Sequence, residues 1–142
     1  MKNAKLIDVL KSFTKEEIKD LSVYVEHAKV KENTFVQQLY AYLFKQYPEF
    51  ADKNIAKEKV YKKLFSNKKY DENKLSKIMS ELTKTIEDYI ITRQSKSNEL
   101  ANKIQLIRFY NERNLEKQYK QIEKEIDKIL QEIPISAISE ML

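Results

Sequence analysis

The sequence has no glycine, no cysteine and no tryptophan, and it contains only two prolines and one histidine. Each shortage excludes something. A β-rich chain of 142 residues needs glycine where its turns take positive φ, so this composition specifies helices joined by polar loops. The lack of glycine also removes the loops that cradle phosphate in P-loop and dinucleotide-binding folds. Without cysteine there is neither a disulfide framework nor a thiolate, which fits a reducing compartment. With His27 as the sole imidazole, the common nucleophile–base pairs and transition-metal clusters lack their groups. No stretch of about eighteen apolar residues exists, so no transmembrane helix is expected. The opening MKNAKLIDVLKSF lacks the unbroken apolar run of a signal peptide. The expectation is a cytoplasmic protein that is not an enzyme, uses no cofactor or metal, and does not engage a membrane.

What is present points the same way. Hydrophobic residues make up 42 % of the chain and charged residues 35 %, enough for a core, with the charge density of long helices rather than of disorder. The net charge of +5 is unevenly placed: residues 1–71 carry 15 basic and 10 acidic side chains, and residues 72–142 carry 12 of each. Among 27 basic residues only Arg93, Arg108 and Arg113 are arginine. Abundant lysine, asparagine and isoleucine look like the bias of an AT-rich bacterial genome, which weakens any reading built on lysine count alone.

The chain is organised around the stretch 70–94, YDENKLSKIMSELTKTIEDYIITRQ. Leu75, Ile78, Met79, Leu82, Ile86, Tyr89 and Ile90 recur at spacings of three and four, the mark of a helix with a broad apolar face. Asp71 is its natural N-cap, and Tyr70 and Leu75 are placed for a hydrophobic staple. Before it, residues 4–13 form a short helix with Leu6, Ile7, Leu10 and Phe13 inward. Thr14 and Glu17 then make a capping box for a second helix, whose stripe is Ile18, Leu21, Val25 and Ala28. A third, 34–46, is so apolar, with Phe35, Val36, Leu39, Tyr40, Leu43 and Phe44, that burial on more than one side is expected. Pro48 ends it. A fourth helix, 55–65, sets Val60, Tyr61 and Leu64 opposite Lys59, Lys62 and Lys63. The polar run 95–98 reads as a break, with Asn98 as the next cap.

From 99 to 133 the broad face narrows to a seam. Leu100, Ile104, Ile107 and Asn111 keep one heptad phase, while Leu115, Tyr119, Ile122, Ile126, Ile129 and Ile133 keep another. A fold-back at Arg113 reconciles them, pairing Asn111 with Leu115, Ile107 with Tyr119, Ile104 with Ile122 and Leu100 with Ile126. That antiparallel register also brings Lys103 near Glu125 and Arg108 near Glu116.

The segment Phe109-Tyr110-Asn111-Glu112-Arg113-Asn114-Leu115-Glu116-Lys117 resembles the middle of a tetratricopeptide repeat, with its aromatic pair, polar turn, leucine and acidic–basic step. The repeat's turn glycine is Arg113 here, and Leu106, Gln118 and Glu125 stand where it uses small residues. Leu10–Ile18, read Leu-Lys-Ser-Phe-Thr-Lys-Glu-Glu-Ile, also looks similar to uncharacterised all-helical bacterial proteins in which such a region precedes repeat-like helices. The repeat-like hairpin implies binding by surface complementarity without catalytic residues, and the second resemblance brings no known activity.

The remaining candidates are electrostatic and aromatic. Lys53, Lys57, Lys59, Lys62, Lys63, Lys68, Lys69, Lys74 and Lys77 face only Glu58, Asp71 and Glu72, which invites a helix-turn-helix reading on nucleic acid. Against it, Asp71 and Glu72 open the would-be recognition helix, and the window has no arginine to read guanine. A solvated face explains the cluster more simply. Tyr40, Tyr42, Tyr47 and Tyr61 alternate with core residues and read as core-edge tyrosines, buried ring and wet hydroxyl, rather than as a base-stacking platform. Glu16–Glu17, Glu87–Asp88 and Glu123–Asp127 lie beside lysines or at a helix start, where carboxylates complement the dipole. His27 suits the end of its helix for the same reason.

The sequence therefore specifies an all-α protein: an N-terminal helical bundle of about five helices over 1–94, a repeat-like antiparallel helical hairpin over 95–133, and a tail or further helix start over 134–142. The function it supports is a noncatalytic protein–protein interaction or scaffold module, the front part of a longer helical repeat protein being one form of it. An unknown protein partner would meet the hairpin through Arg108, Lys117, Lys120 and Gln121. The alternative is nonspecific nucleic-acid binding through Lys59, Lys62, Lys63, Lys68 and Lys69.

Overall fold

The computed structural model of the chain describes residues 4–28, 33–66 and 69–133. Among them are six helices and no strand: α1 Lys5–Ser12, α2 Lys15–His27, α3 Asn33–Gln46, α4 Lys57–Phe65, α5 Glu72–Glu112 and α6 Glu116–Glu132. The all-α expectation holds. The tail at 134–142 and Lys68 lie outside the described residues. Two compact units divide the chain, Met1–Tyr89 and Ile90–Leu142, and α5 contributes to both.

The expected starts of α2 and α5 form as written in the sequence. Thr14 accepts from the Glu17 amide at 3.2 Å while the Glu17 carboxylate accepts from the Thr14 amide at 2.8 Å, so two orphan donors are satisfied reciprocally. Asp71 Oδ1 accepts from the Asn73 and Lys74 amides at 3.0 and 3.4 Å. Below these caps each helix gives its apolar stripe to one core: Leu6, Ile7 and Leu10 from α1, Ile18, Leu21 and Val25 from α2, Val60, Tyr61 and Leu64 from α4. The first half of α5 contributes Leu75, Ile78, Leu82, Ile86 and Tyr89, all buried. Fully burying side chains of this size stabilises by about 1.5–3 kcal/mol each, before the entropy of ordering the chain is charged against it. Thr85 is the buried polar residue of that stripe, and its hydroxyl is satisfied by donating to the Glu81 carbonyl at 3.0 Å.

α3 packs against both α2 and α4, which accounts for its apolar composition. Its girdle is not buried all round, however: Phe44 is 40 % exposed. An aromatic cluster continues from it, with Phe35 on Phe65, and Tyr61 on both Phe65 and Tyr70, at centroid separations of 4.6–5.2 Å. After α3 the chain turns through a cis Tyr47–Pro48 bond, and Phe50, at φ 47°, tucks into the core.

Candidate functional site

The break expected at 95–98 does not form, and Asn98 is not a cap; α5 runs through it as part of 41 helical residues. Nothing in that run requires a non-helical φ. Ser97 places its hydroxyl on the Arg93 carbonyl at 3.0 Å, so the hydroxyl bonds within the helix rather than against it. The bundle helix and the first arm of the hairpin are therefore one element, and the boundary expected after residue 94 falls inside it.

The fold-back itself is present, and its chemistry is that of a Schellman cap. The Leu115 amide donates to the Tyr110 carbonyl at 3.0 Å, the Asn114 amide to the Asn111 carbonyl at 3.2 Å, and Asn114 takes φ 57°. Asparagine is a suitable non-glycine residue for that left-handed position, so Asn114 closes the helix without a glycine. From there α6 returns antiparallel. Leu100, Ile129 and Ile133 form a buried cluster with Ile104, Ile126 and Leu130 packed against it. Lys103 meets Glu125 at 3.5 Å, as the register requires, and Lys96 meets Glu132 at 2.6 Å. The Lys96 hydrogen bond lowers the Glu132 pKa from its ordinary value, and Glu132 in turn raises that of Lys96. The pair expected between Arg108 and Glu116 gives way to a bond along α6, where Glu116 meets Lys120 at 3.4 Å.

Leu115 leaves the seam. It sits at the α6 N-cap with φ −87° and ψ 73°, and is 40 % exposed. Its displacement opens a shallow pocket of about 410 Å³ at the hairpin tip, lined by Tyr110, Asn111, Asn114, Leu115, Glu116, Tyr119 and Lys120. Of the four partner-binding candidates, Lys120 lines this pocket, while Arg108, Lys117 and Gln121 are exposed elsewhere on the hairpin. The hairpin also exposes apolar side chains that were not expected. Leu106 is 40 % and Phe109 46 % exposed, with the Arg113 guanidinium 4.7 Å over the Phe109 ring. Their signal was available, since both lie out of phase with Leu100, Ile104 and Ile107.

The lysine cluster is partly engaged within its own unit. Lys59 donates to Asn54 Oδ1 at 3.1 Å, Lys57 pairs with Glu72 at 2.9 Å, and Lys74 lies 5.9 Å over Phe65. The Lys57 pKa is raised by that hydrogen bond to Glu72. Lys62, Lys63 and Lys69 are exposed. The acidic start of α5, Asp71 and Glu72, is thus occupied by its own cap and by Lys57.

Three of the four core-edge tyrosines are fasteners, while the Tyr61 hydroxyl, expected to be wet, is buried without a hydrogen-bond partner among the described residues. Tyr40 donates to the Ile18 carbonyl at 2.9 Å and lies 3.1 Å from the Ser22 hydroxyl, and burial raises its pKa. Tyr47 donates to the Phe13 carbonyl at 2.7 Å, and Tyr42 to the Asn54 carbonyl. Each joins segments far apart in the chain, a structural use of the ring and hydroxyl. Beside them a second shallow groove of about 520 Å³ lies between α2 and α3, lined chiefly by Val25, Gln37, Tyr40, Ala41 and Phe44. His27 Nδ1 is 2.9 Å from the Val23 carbonyl within α2.

Among the described residues, no group of three or more histidine or acidic side chains gathers to hold a metal ion, and no helix is long and apolar enough to cross a membrane. Set against protein-family models, curated proteins and solved structures, the chain matches none.

Proposed function

We propose that the protein is a noncatalytic, cytoplasmic interaction module that captures a protein partner at the tip of the α5–α6 hairpin. The observation that carries this reading is the tip pocket, where an exposed leucine and two tyrosines are ringed by Glu116 and Lys120. Aromatic and aliphatic anchors inside a polar rim are what binding surfaces use, and they need no reactive group. The tetratricopeptide-like segment 109–117 is consistent with it, since repeat hairpins bind by surface complementarity. Nucleic-acid binding is less favoured because Lys57 and Lys59 already have partners inside the bundle.

The test compares immobilised wild-type protein with a Leu115→Asp, Lys120→Glu variant for proteins retained from a bacterial lysate. Aspartate is a preferred N-cap residue, which offsets for α6 the apolar contact that Leu115 gives to the turn, and circular dichroism on the variant establishes that helicity is kept. A protein retained by the wild type and lost by the variant supports the tip; equal retention retires it. The same preparation is titrated into labelled oligonucleotides at about 50 and about 200 mM salt. Affinity falling on the order of a thousandfold across that range would replace the proposal with phosphate contact through Lys62, Lys63 and Lys69.

A further inference from the structure

The side of α5 turned away from α6 has an order of its own. Ile91, Ser95, Asn98, Asn102, Gln105 and Phe109 recur at spacings of four, three, four, three and four, and all six are exposed. Ile91 is 65 % and Phe109 46 % exposed. On a helix they form one stripe opposite the seam residues Leu100, Ile104 and Ile107. Eighteen residues are five full turns, so Ile91 and Phe109 stand directly in line, about 27 Å apart.

Two properties separate this stripe from ordinary helix surface. It carries no charge, although 35 % of the chain is charged. The exposed side of α6, by contrast, carries Lys117, Lys120, Glu123, Lys124, Asp127 and Lys128. Depletion of charge at the centre of a surface is the compositional sign of an interface. Its polarity is also symmetric about position 100: apolar Ile91 answers apolar Phe109, polar Ser95 answers polar Gln105, and Asn98 answers Asn102. Glu99, the nearest acid, is held by Lys96 at 3.7 Å.

From this order we infer that the outer face of α5 is a homodimer interface, occupied by the same stripe of a second copy running antiparallel about a dyad at position 100. A two-fold contact must be self-complementary, and this order is. Each end then packs an isoleucine against a phenylalanine, and the middle pairs side-chain amides and hydroxyls, which fix register as polar positions do in coiled coils. Antiparallel packing also opposes the two helix dipoles. The inference concerns a face distinct from the tip pocket and stands independently of the proposed function.

Sedimentation velocity on the full chain tests it. The wild type is expected to dimerise at about 100 μM, and Ile91→Glu and Phe109→Lys are each expected to raise the dimer dissociation constant about tenfold or more by burying an unpaired charge. Circular dichroism on both variants establishes that helicity is kept. Mixing the two variants should restore a dimer, because an introduced carboxylate at 91 then faces an introduced ammonium at 109 while the other end keeps its native contact. A monomeric wild type, or a dimer indifferent to both substitutions, overturns the inference. So does rescue by mixing Ile91→Glu with Ile91→Lys in place of the crossed pair, which would make the pairing parallel. A partner retained equally by the wild type and the tip variant, with dimerisation unchanged, would count against the proposed function alone.

Discussion

Replacing Leu100 by alanine should release α6 without unfolding the bundle. Leu100 is 5 % exposed and belongs to a cluster of three buried residues, with Ile129 and Ile133 supplied by the end of α6. Leucine-to-alanine changes in cores cost about 2–5 kcal/mol, and the low end applies here because Ile104, Ile126 and Leu130 are only partly buried and the site can collapse. About 2 kcal/mol is roughly a thirtyfold change in a local opening equilibrium. A helix of 17 residues is marginal by itself in water, so α6 depends on this packing for its structure. Amide hydrogen exchange read residue by residue is the assay. The amides of α6 should lose protection by roughly thirtyfold, while those of Leu75, Leu82 and Ile86 in the bundle half of α5 keep theirs. Equal loss in both regions would refute the argument, since it would mean the hairpin opens only when the bundle does. Unchanged protection in α6 would refute it as well, by showing that the cluster carries little of the hairpin's stability.

Two further outcomes follow from the turn and from the ion pairs. Asn114→Val should destabilise the hairpin by about 1–2 kcal/mol, because a β-branched residue resists φ 57°, whereas Asn114→Gly should be neutral or mildly stabilising; thermal melts of both variants decide it. Lys96→Met should lower stability at neutral pH, where the depressed Glu132 pKa makes its ionised form favour the folded state. That contribution is present above the ordinary carboxylate range and is lost as pH falls through the folded-state pKa, so melts of wild type and variant should converge in acid. The raised Lys96 pKa works at the other end, its contribution being present at neutral pH and lost as pH climbs past the ordinary lysine range.

Much of the bundle was legible because local chemistry and tertiary packing agree there. The capping box at Thr14 and Glu17, the Asp71 cap and the three-and-four spacing of α5 are signals carried within a few residues of where they act. Burial of α3 was legible only in part. Its composition predicts contact on several sides, yet whether Phe44 meets a neighbour depends on helices distant in sequence, and it lines an open groove. The tip was less legible still. Side chains turned away from the seam are read as exposed when they are polar, and that signal passes over exposed leucine and phenylalanine.

The error at 95–98 and the success at 113–115 have one physical cause. Both segments are polar, both contain asparagine, and neither contains glycine or proline, so composition alone ranks them as equal breaks. What differs is closure. A helix end of the Schellman type needs a residue that accepts positive φ followed by an apolar one that packs back on the last turn. Asn114 followed by Leu115, with Tyr110 receiving the returning amide, meets that requirement. Asn98 is followed by Glu99, which has no apolar contact to give, and Leu100 resumes the seam on the same helix. The apolar pattern reports the same distinction, since Leu82, Ile86 and Tyr89 recur eighteen residues, or five helical turns, later as Leu100, Ile104 and Ile107, whereas the pattern is re-aimed between Asn111 and Leu115. A polar run interrupts a helix only where the apolar pattern on its far side has been re-aimed; where the pattern continues in phase, ordinary helical dihedrals satisfy every backbone group at lower cost than any loop.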